Sequence, residues 1–242
     1  FAATAAADLV VGVTVSTTGP GASLGVHYRN TFNMLPKTLG GQPVKYIVLD
    51  DASDPTQAVK NARKLITEEN ADIILGSSSV PNNHAISEVA SELKTVQIAL
   101  APMGLPPEKM VWTFVVPQSI QLMIEGVVKH MQASGVKSVG YIGFNDPWGE
   151  GIYKALAALA EPAGIKIVAN ERYARPDTTV EAQVLKIMAA KPDAVLIGGS
   201  GTPGALPAIS LAGRGFKGPV YGNHGMVNPD FIRIGAKSVE GL

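Results

Sequence analysis

Three glycines and two acids are the first residues of this 242-residue chain whose spacing suggests chemistry. Gly19, Gly21 and Gly25 follow the β-branched run "VVGVTVS", and Asp50 and Asp51 end the next apolar run, "KYIVLDDASDP". A strand, a glycine loop, a helix and a later acid are the parts of a dinucleotide site. The spacing here is G-x-G-x-x-x-G, however, and Pro20 has no N–H to offer a pyrophosphate. Asp50 and Asp51 read equally as a strand-end turn that feeds a helix cap at Ser53-Asp54-Pro55. No G-x-x-x-x-G-K-[ST] motif occurs, and "GGSGT" lacks the last glycine of a nucleophile elbow. His27, His84, His130 and His224 are scattered with no metal-ligand spacing, and Glu125, Glu150 and Glu161 fall on helical stretches where acids are normally solvated. No catalytic set and no metal or cofactor site emerges, so the chain reads as a non-enzyme.

What remains is binding chemistry, all of it in loops that follow strands. Ser77, Ser78 and Ser79 offer hydroxyls and backbone N–H groups ahead of a helix near Pro81, a neutral anion pocket that holds a carboxylate without a cation. The alternative is that they cap that helix. Trp148, in "NDPWGEG", reads as an accessible wall that stacks on a ligand. His224, in "GNHGMVN", is either a hydrogen-bonding contact at the far end of a ligand or a solvated loop residue.

The elements that must position these loops alternate. Strands are expected at 9–15, 44–49, 72–75, 96–100, 138–144, 165–169, 193–197 and 219–221, and helices at 23–35, 55–69, 82–93, 119–133, 149–162, 178–190 and 203–213. Strands apolar on consecutive residues predict parallel sheets covered on both faces. "ADIILGSSS" at 71–79 is echoed by "PDAVLIGGS" at 192–200, and the run at 10–15 by "SVGYIGF" at 138–144. The fold class is therefore α/β with two Rossmann-like lobes: 1–117 and 118–242, with a hinge at Pro117. In open parallel sheets ligands bind beyond the strands' carboxyl ends, so the loops of both lobes are expected to converge on an interlobe cleft.

Composition narrows the partners. Apolar residues are 46% of the chain, ample for a core, and 20 basic residues balance 20 acidic ones, which removes any global attraction to nucleic acid. The absence of cysteine excludes thiolate chemistry and disulfides. No apolar stretch is long enough to cross a bilayer. The opening "FAATAAADL" reads as the remnant of a cleaved secretory leader, which predicts export to the periplasm, although a chain trimmed at this point reads the same way.

The segments "LDDASDPTQAVKNARKLI", "GSSS", "NDPWGEG", "YARPDTTVEAQVLKIMAAKPDAVLIGG" and "NPDFIRIGAKSVEGL" resemble, in order and over nearly the whole chain, the periplasmic solute-binding proteins of the branched-chain amino-acid ABC transporter family (type I periplasmic binding fold). The resemblance implies two lobes, no catalysis and no cofactor, a monomer that takes a small organic acid, and an ABC permease as partner. It places the ligand's carboxylate at Ser77–Ser79 and at Ala101, Pro102 and Met103. It sets Trp148 where relatives have a Tyr, and Ser200 and Gly201 where they have an aromatic. Asn223 and His224 stand where amino-acid binders have an acid for the ammonium, and a buried ammonium without a carboxylate is costly. An aromatic carboxylate is therefore expected, in the aromatic-acid branch of the family. The alternatives are a branched-chain amino-acid binder, the sensing domain of a signalling receptor, and an NAD(P)-dependent enzyme. Relatives also continue past "SVEGL" and return to the first lobe, so that segment is expected to be absent from this chain.

Overall fold

The computed structural model describes residues 8–242; the leader-like residues 1–7 lie outside them. The chain forms two compact units, which divide between Pro117 and Gln118.

The first unit runs β1 (Leu9–Val15), α1 (Ala22–Phe32), β2 (Thr38–Leu39), β3 (Gln42–Asp50), α2 (Pro55–Thr67), β4 (Ile73–Gly76), α3 (Val80–Glu92), β5 (Val96–Ala99) and β6 (Thr113–Val115). Its sheet has the order β2-β3-β1-β4-β5-β6, parallel except for the β2–β3 pair. The pattern explains the layering. Val11, Val13 and Val15 pack with Phe32 and Val44 on one side. Ala58, Ala62 and Leu65 of α2 pack with Ile74, Ile86 and Val89 on the other. Each large side chain so buried contributes roughly 1.5–3 kcal/mol. The start of α2 is where its residues demand it: Asp54 accepts from Thr56 N at 2.8 Å and Pro55 opens the helix.

The second unit runs α4 (Ile120–Ala133), β7 (Ser138–Phe144), α5 (Pro147–Ala160), β8 (Lys166–Tyr173), α6 (Glu181–Ala189), β9 (Ala194–Gly198), α7 (Ala205–Gly213), β10 (Val220–Tyr221) and α8 (Pro229–Gly235). Its parallel sheet has the order β10-β9-β7-β8. This is the arrangement of β5-β4-β1-β3, so the internal echo of the sequence corresponds to one topology used twice. In both halves the chain leaves the central strand to one side and returns on the other. The switch points therefore lie at the carboxyl ends of β1 and β7, the positions where open α/β sheets receive ligands.

Three features depart from expectation. β6 and α8 are too short to show periodicity, although Asn228-Pro229 supplies a proper start: Asn228 Oδ1 accepts from Phe231 N at 2.9 Å. α5 begins at Pro147, not after Trp148, because Asp146 caps it.

The halves also share a close contact between helix and strand end. A Cβ at Gly25 in α1 would lie 2.0 Å from Ser16 O, and one at Gly149 in α5 would lie 2.0 Å from Phe144 O. Only glycine lets each helix approach its strand end so nearly. Gly149→Ala should therefore destabilise by about 2 kcal/mol or more, a fall in Tm of about 4–8 °C in a thermal melt. Gly164→Ala, whose added Cβ meets nothing within 4 Å but whose φ is +72°, should cost only about 1 kcal/mol.

Candidate functional site

In the first unit the site is built around a buried carboxylate. Asp51 is fully buried and accepts from Ser16 Oγ (2.6 Å), Ser77 Oγ (2.7 Å), Thr14 Oγ1 (3.4 Å) and Ser53 N (3.1 Å). Four donors and no acceptor are what an ionised carboxylate requires. They join β1, the turn after β3 and the serine loop after β4 into one cluster at the switch point. Behind that loop Asn83 Nδ2 donates to Ser77 O (2.9 Å), and Gln97 Nε2 donates to Gly76 O (2.9 Å) and to Asn83 O (3.2 Å).

The three serines have different duties. Ser77 spends its hydroxyl proton on Asp51 and is thus a strut, not the ligand donor the sequence suggested. Ser78 Oγ accepts from Ser16 N at 3.2 Å, which leaves its own proton to give. Ser79 precedes α3 without a side-chain capping bond. Ser79 thus holds the N-cap position of α3 by its backbone alone. Ala101, Pro102 and Met103 are buried beside this loop, with Ala101 O 3.5 Å from Asn83 Nδ2.

Asp50, the neighbouring acid, is equally committed. It accepts from Thr17 N, Thr18 N, Ala52 N and Thr18 Oγ1. Desolvation opposes its charge, yet these bonds prevail and hold its carboxyl below the usual range. With both acids engaged by protein donors, neither is presented to a ribose.

In the second unit the loops after β7, β8, β9 and β10 meet. Asp146 Oδ1 accepts from Trp148 N (2.9 Å) and Gly149 N (3.2 Å), and Oδ2 accepts from Arg175 Nε (2.5 Å). Trp148, expected as an accessible wall, is only 3% exposed. Its Nε1–H donates to Gly199 O at 3.2 Å and its ring meets His224 edge-on, 5.6 Å between centroids. The cap at Asp146 draws it into the first turn of α5 and under the following loops, so it shapes the site from beneath.

Asn223 is likewise structural. Its amide donates to Ile197 O (3.1 Å) and Gly199 O (2.7 Å) and accepts from Gly225 N (2.9 Å), which fastens its loop to the end of β9. Gly201 has φ +57° and donates to Gly225 O at 2.7 Å; Ser200 Oγ lies 3.5 Å from Arg175 Nη1. His224 is half-buried, with Nδ1 2.8 Å from Met123 Sδ, and burial pushes its pKa down, so the ring is neutral near pH 7. It is not the solvated residue of the alternative reading. An open, largely apolar groove of about 850 Å³, lined among others by Met123, Val127, Phe231 and Ile232, runs along the other side of His224.

Sequence reasoning did not single out Gln97 or Arg175, and it offered Asp51 as a ribose acid or a strand-end turn, not as the buried acceptor that joins three stretches of chain. Among the described residues, no group of three or more His, Cys, Asp or Glu could hold a metal ion.

A profile of the family described as "Periplasmic binding protein" matches residues 8–242. The chain is 26% identical over 253 residues to the Leu/Ile/Val-binding protein homolog 3 of Brucella melitensis biotype 1, covering 100% of this chain and 68% of that one. It is similar, at 49% identity and TM-score 0.96, to the crystal structure of an extracellular ligand-binding receptor from Rhodopseudomonas palustris HaA2; the match covers 98% of this chain and 66% of that chain. An ABC transporter solute-binding protein from R. palustris, in complex with 4-hydroxybenzoate, shares the fold at TM-score 0.87 and 21% identity. The chain thus spans slightly less than two thirds of the length of the solved structures it resembles.

Two outcomes follow from the site's electrostatics. Asp51→Ala should cost on the order of 3 kcal/mol in urea unfolding, since buried donors lose an ionised acceptor; a loss under about 1 kcal/mol would show that the cluster contributes no more than a surface pair. Burial lowers the pKa of His84, with Lys109 adding to the shift and Glu88 opposing it, and burial alone lowers that of His224. The unfolded chain then binds more protons below its ordinary His pKa of about 6.5, so stability is full above that pH and is lost as pH falls through the folded-state values. His224→Gln should flatten the decline of Tm between about pH 7 and pH 5.

Proposed function

We propose, on the premise that the chain belongs to the periplasmic binding protein family matched over residues 8–242, that it binds a small aromatic carboxylate outside the cytoplasm and delivers it to an ABC permease. Taken separately, the residues offered to a ligand are Ser78, Ser79 and the Ala101–Met103 segment in the first unit, and Ser200, Gly201 and His224 in the second. Ser77, Trp148 and Asn223 hold those loops in place.

One observation carries the choice of an acid over an amino acid. Asp146, an acid at the second unit's loops, is already filled by two backbone N–H groups and an arginine. His224 is neutral. An α-ammonium at these loops would therefore lose its hydration without gaining a free carboxylate, a cost of several kcal/mol. A ring with a carboxylate meets no such penalty. The relative solved with 4-hydroxybenzoate supports this class of ligand. The Leu/Ile/Val-binding names of two curated relatives, each 26% identical, favour the second reading, a branched-chain amino-acid binder.

A thermal-shift panel separates the two. At a ligand concentration of 100 Kd, binding adds about 2.7 kcal/mol, or about 5–10 °C in Tm. We expect that shift with benzoate, 4-hydroxybenzoate or 4-hydroxycinnamate and none with leucine, isoleucine or valine. The reverse result overturns the aromatic reading.

A further inference from the structure

Behind the serine loop of the first unit, three polar side chains are buried at positions where apolar ones could pack. Gln97 of β5 and Asn83 near the start of α3 are fully buried, as is Thr113 of β6. Gln97 and Thr113 are partners in neighbouring strands. A buried amide is tolerated only where its donors and acceptors are met. Thr113 Oγ1 donates to Gln97 Oε1 at 3.0 Å, which orients the amide with its NH2 towards the serine loop. Gln97 Nε2 then donates to Gly76 O at 2.9 Å and to Asn83 O at 3.2 Å, with Asn83 Oδ1 at 3.4 Å sharing the second proton. Asn83 Nδ2 in turn donates to Ser77 O at 2.9 Å and reaches Ala101 O at 3.5 Å.

The donors run in one direction, from β6 through β5 and α3 to the backbone of two segments offered to a ligand. They end on carbonyls, and a carbonyl that is held fixes its whole peptide plane. The Ser77–Ser78 peptide is trans, so with Ser77 O turned to Asn83 the Ser78 N–H points the opposite way, out of the network. Tyr28 does the same for the other segment. Its hydroxyl donates to Leu100 O at 2.8 Å, and the Ala101 N–H therefore faces away from it. Asn83 touches both Ser77 O and Ala101 O and so sets the spacing between the segments. Two backbone N–H groups held in this way are donors of the kind that suits a carboxylate.

We propose that Gln97, oriented by Thr113 and acting through Asn83, is a positioning residue for the ligand's carboxylate, which the backbone N–H groups of Ser78 and Ala101 receive. The assignment lies wholly within the first unit and rests on the reading above that a ligand's acid group meets Ser78, Ser79 and the Ala101–Met103 segment. It does not depend on the rest of the ligand, since an aromatic acid and an amino acid carry the same group. Gln97 and Thr113 touch no ligand. They keep the donors where a carboxylate needs them, so that binding does not have to order the loops first.

Isothermal titration of the full-length protein with 4-hydroxybenzoate and with leucine tests the assignment. Gln97→Met, close in volume but without the amide, should weaken whichever probe the unmodified protein binds by about tenfold. Thr113→Val should weaken it by about threefold, and Thr113→Ser, which keeps the hydroxyl, should restore it. In a Gln97→Met background Thr113→Val should have no further effect on Kd, because Thr113 acts through Gln97. Val44→Ala, a core change near the start of β3, should lower Tm and leave Kd unchanged, which separates positioning from loss of stability. The Thr113 pair carries the test if Gln97→Met does not fold. The assignment is overturned if Gln97→Met leaves Kd within twofold or if the two Thr113 variants behave alike. It is equally overturned if Thr113→Val keeps its full effect on top of Gln97→Met, or if Val44→Ala weakens the probe as much as Gln97→Met does. Binding of leucine alone defeats the aromatic-acid reading while this assignment stands or falls on the leucine titrations; binding of neither probe overturns both.

Discussion

A carboxylate without solvent organises the first unit. Asp51 lies in the interior, and its charge is tolerable only because donors from Thr14, Ser16, Ser53 and Ser77 converge on it. Those donors come from three separate stretches of chain, so the interaction forms only when β1, the turn after β3 and the loop after β4 are all in place. The serine loop owes its shape to this demand. A loop that must feed a buried charge from beneath has a fixed upper surface, and a fixed surface recognises a ligand without first paying to become ordered.

The second unit reaches the same end by other means. Asp146 is shared between two backbone N–H groups and Arg175, and Asn223 ties its own loop to the last residues of β9 and their extension. In both halves the polar residue that organises the loops is turned inward. The two halves share a strand order.

Much of the architecture could be read from local pattern. Apolar runs located β1, β4, β7 and β9, Ser53-Asp54-Pro55 located the start of α2, and the echo of 71–79 in 192–200 corresponds to β4 and β9, which flank β1 and β7 in the same way. The site was less legible, for a physical reason. Whether a serine supports a loop or faces a ligand depends on what its hydroxyl meets, and Ser77 meets a residue 26 positions earlier. Nothing local marks Arg175, whose partner lies 29 positions away. Trp148 was assigned to a loop because the cap at Asp146 was overlooked, and one missed cap moved a large ring from surface to interior.

The outermost strand of the first sheet, β6, has practical weight for anyone who handles the molecule. One side of it is paired with β5, and Phe114 and the adjacent Val116 are 54% and 70% exposed. Among the described residues its other side pairs with no strand, and an edge fringed with greasy side chains is open to strands from neighbouring copies. Concentrated samples of residues 1–242 are therefore prone to self-association along that rim, and a lysine in place of Phe114 is the simplest way to blunt it.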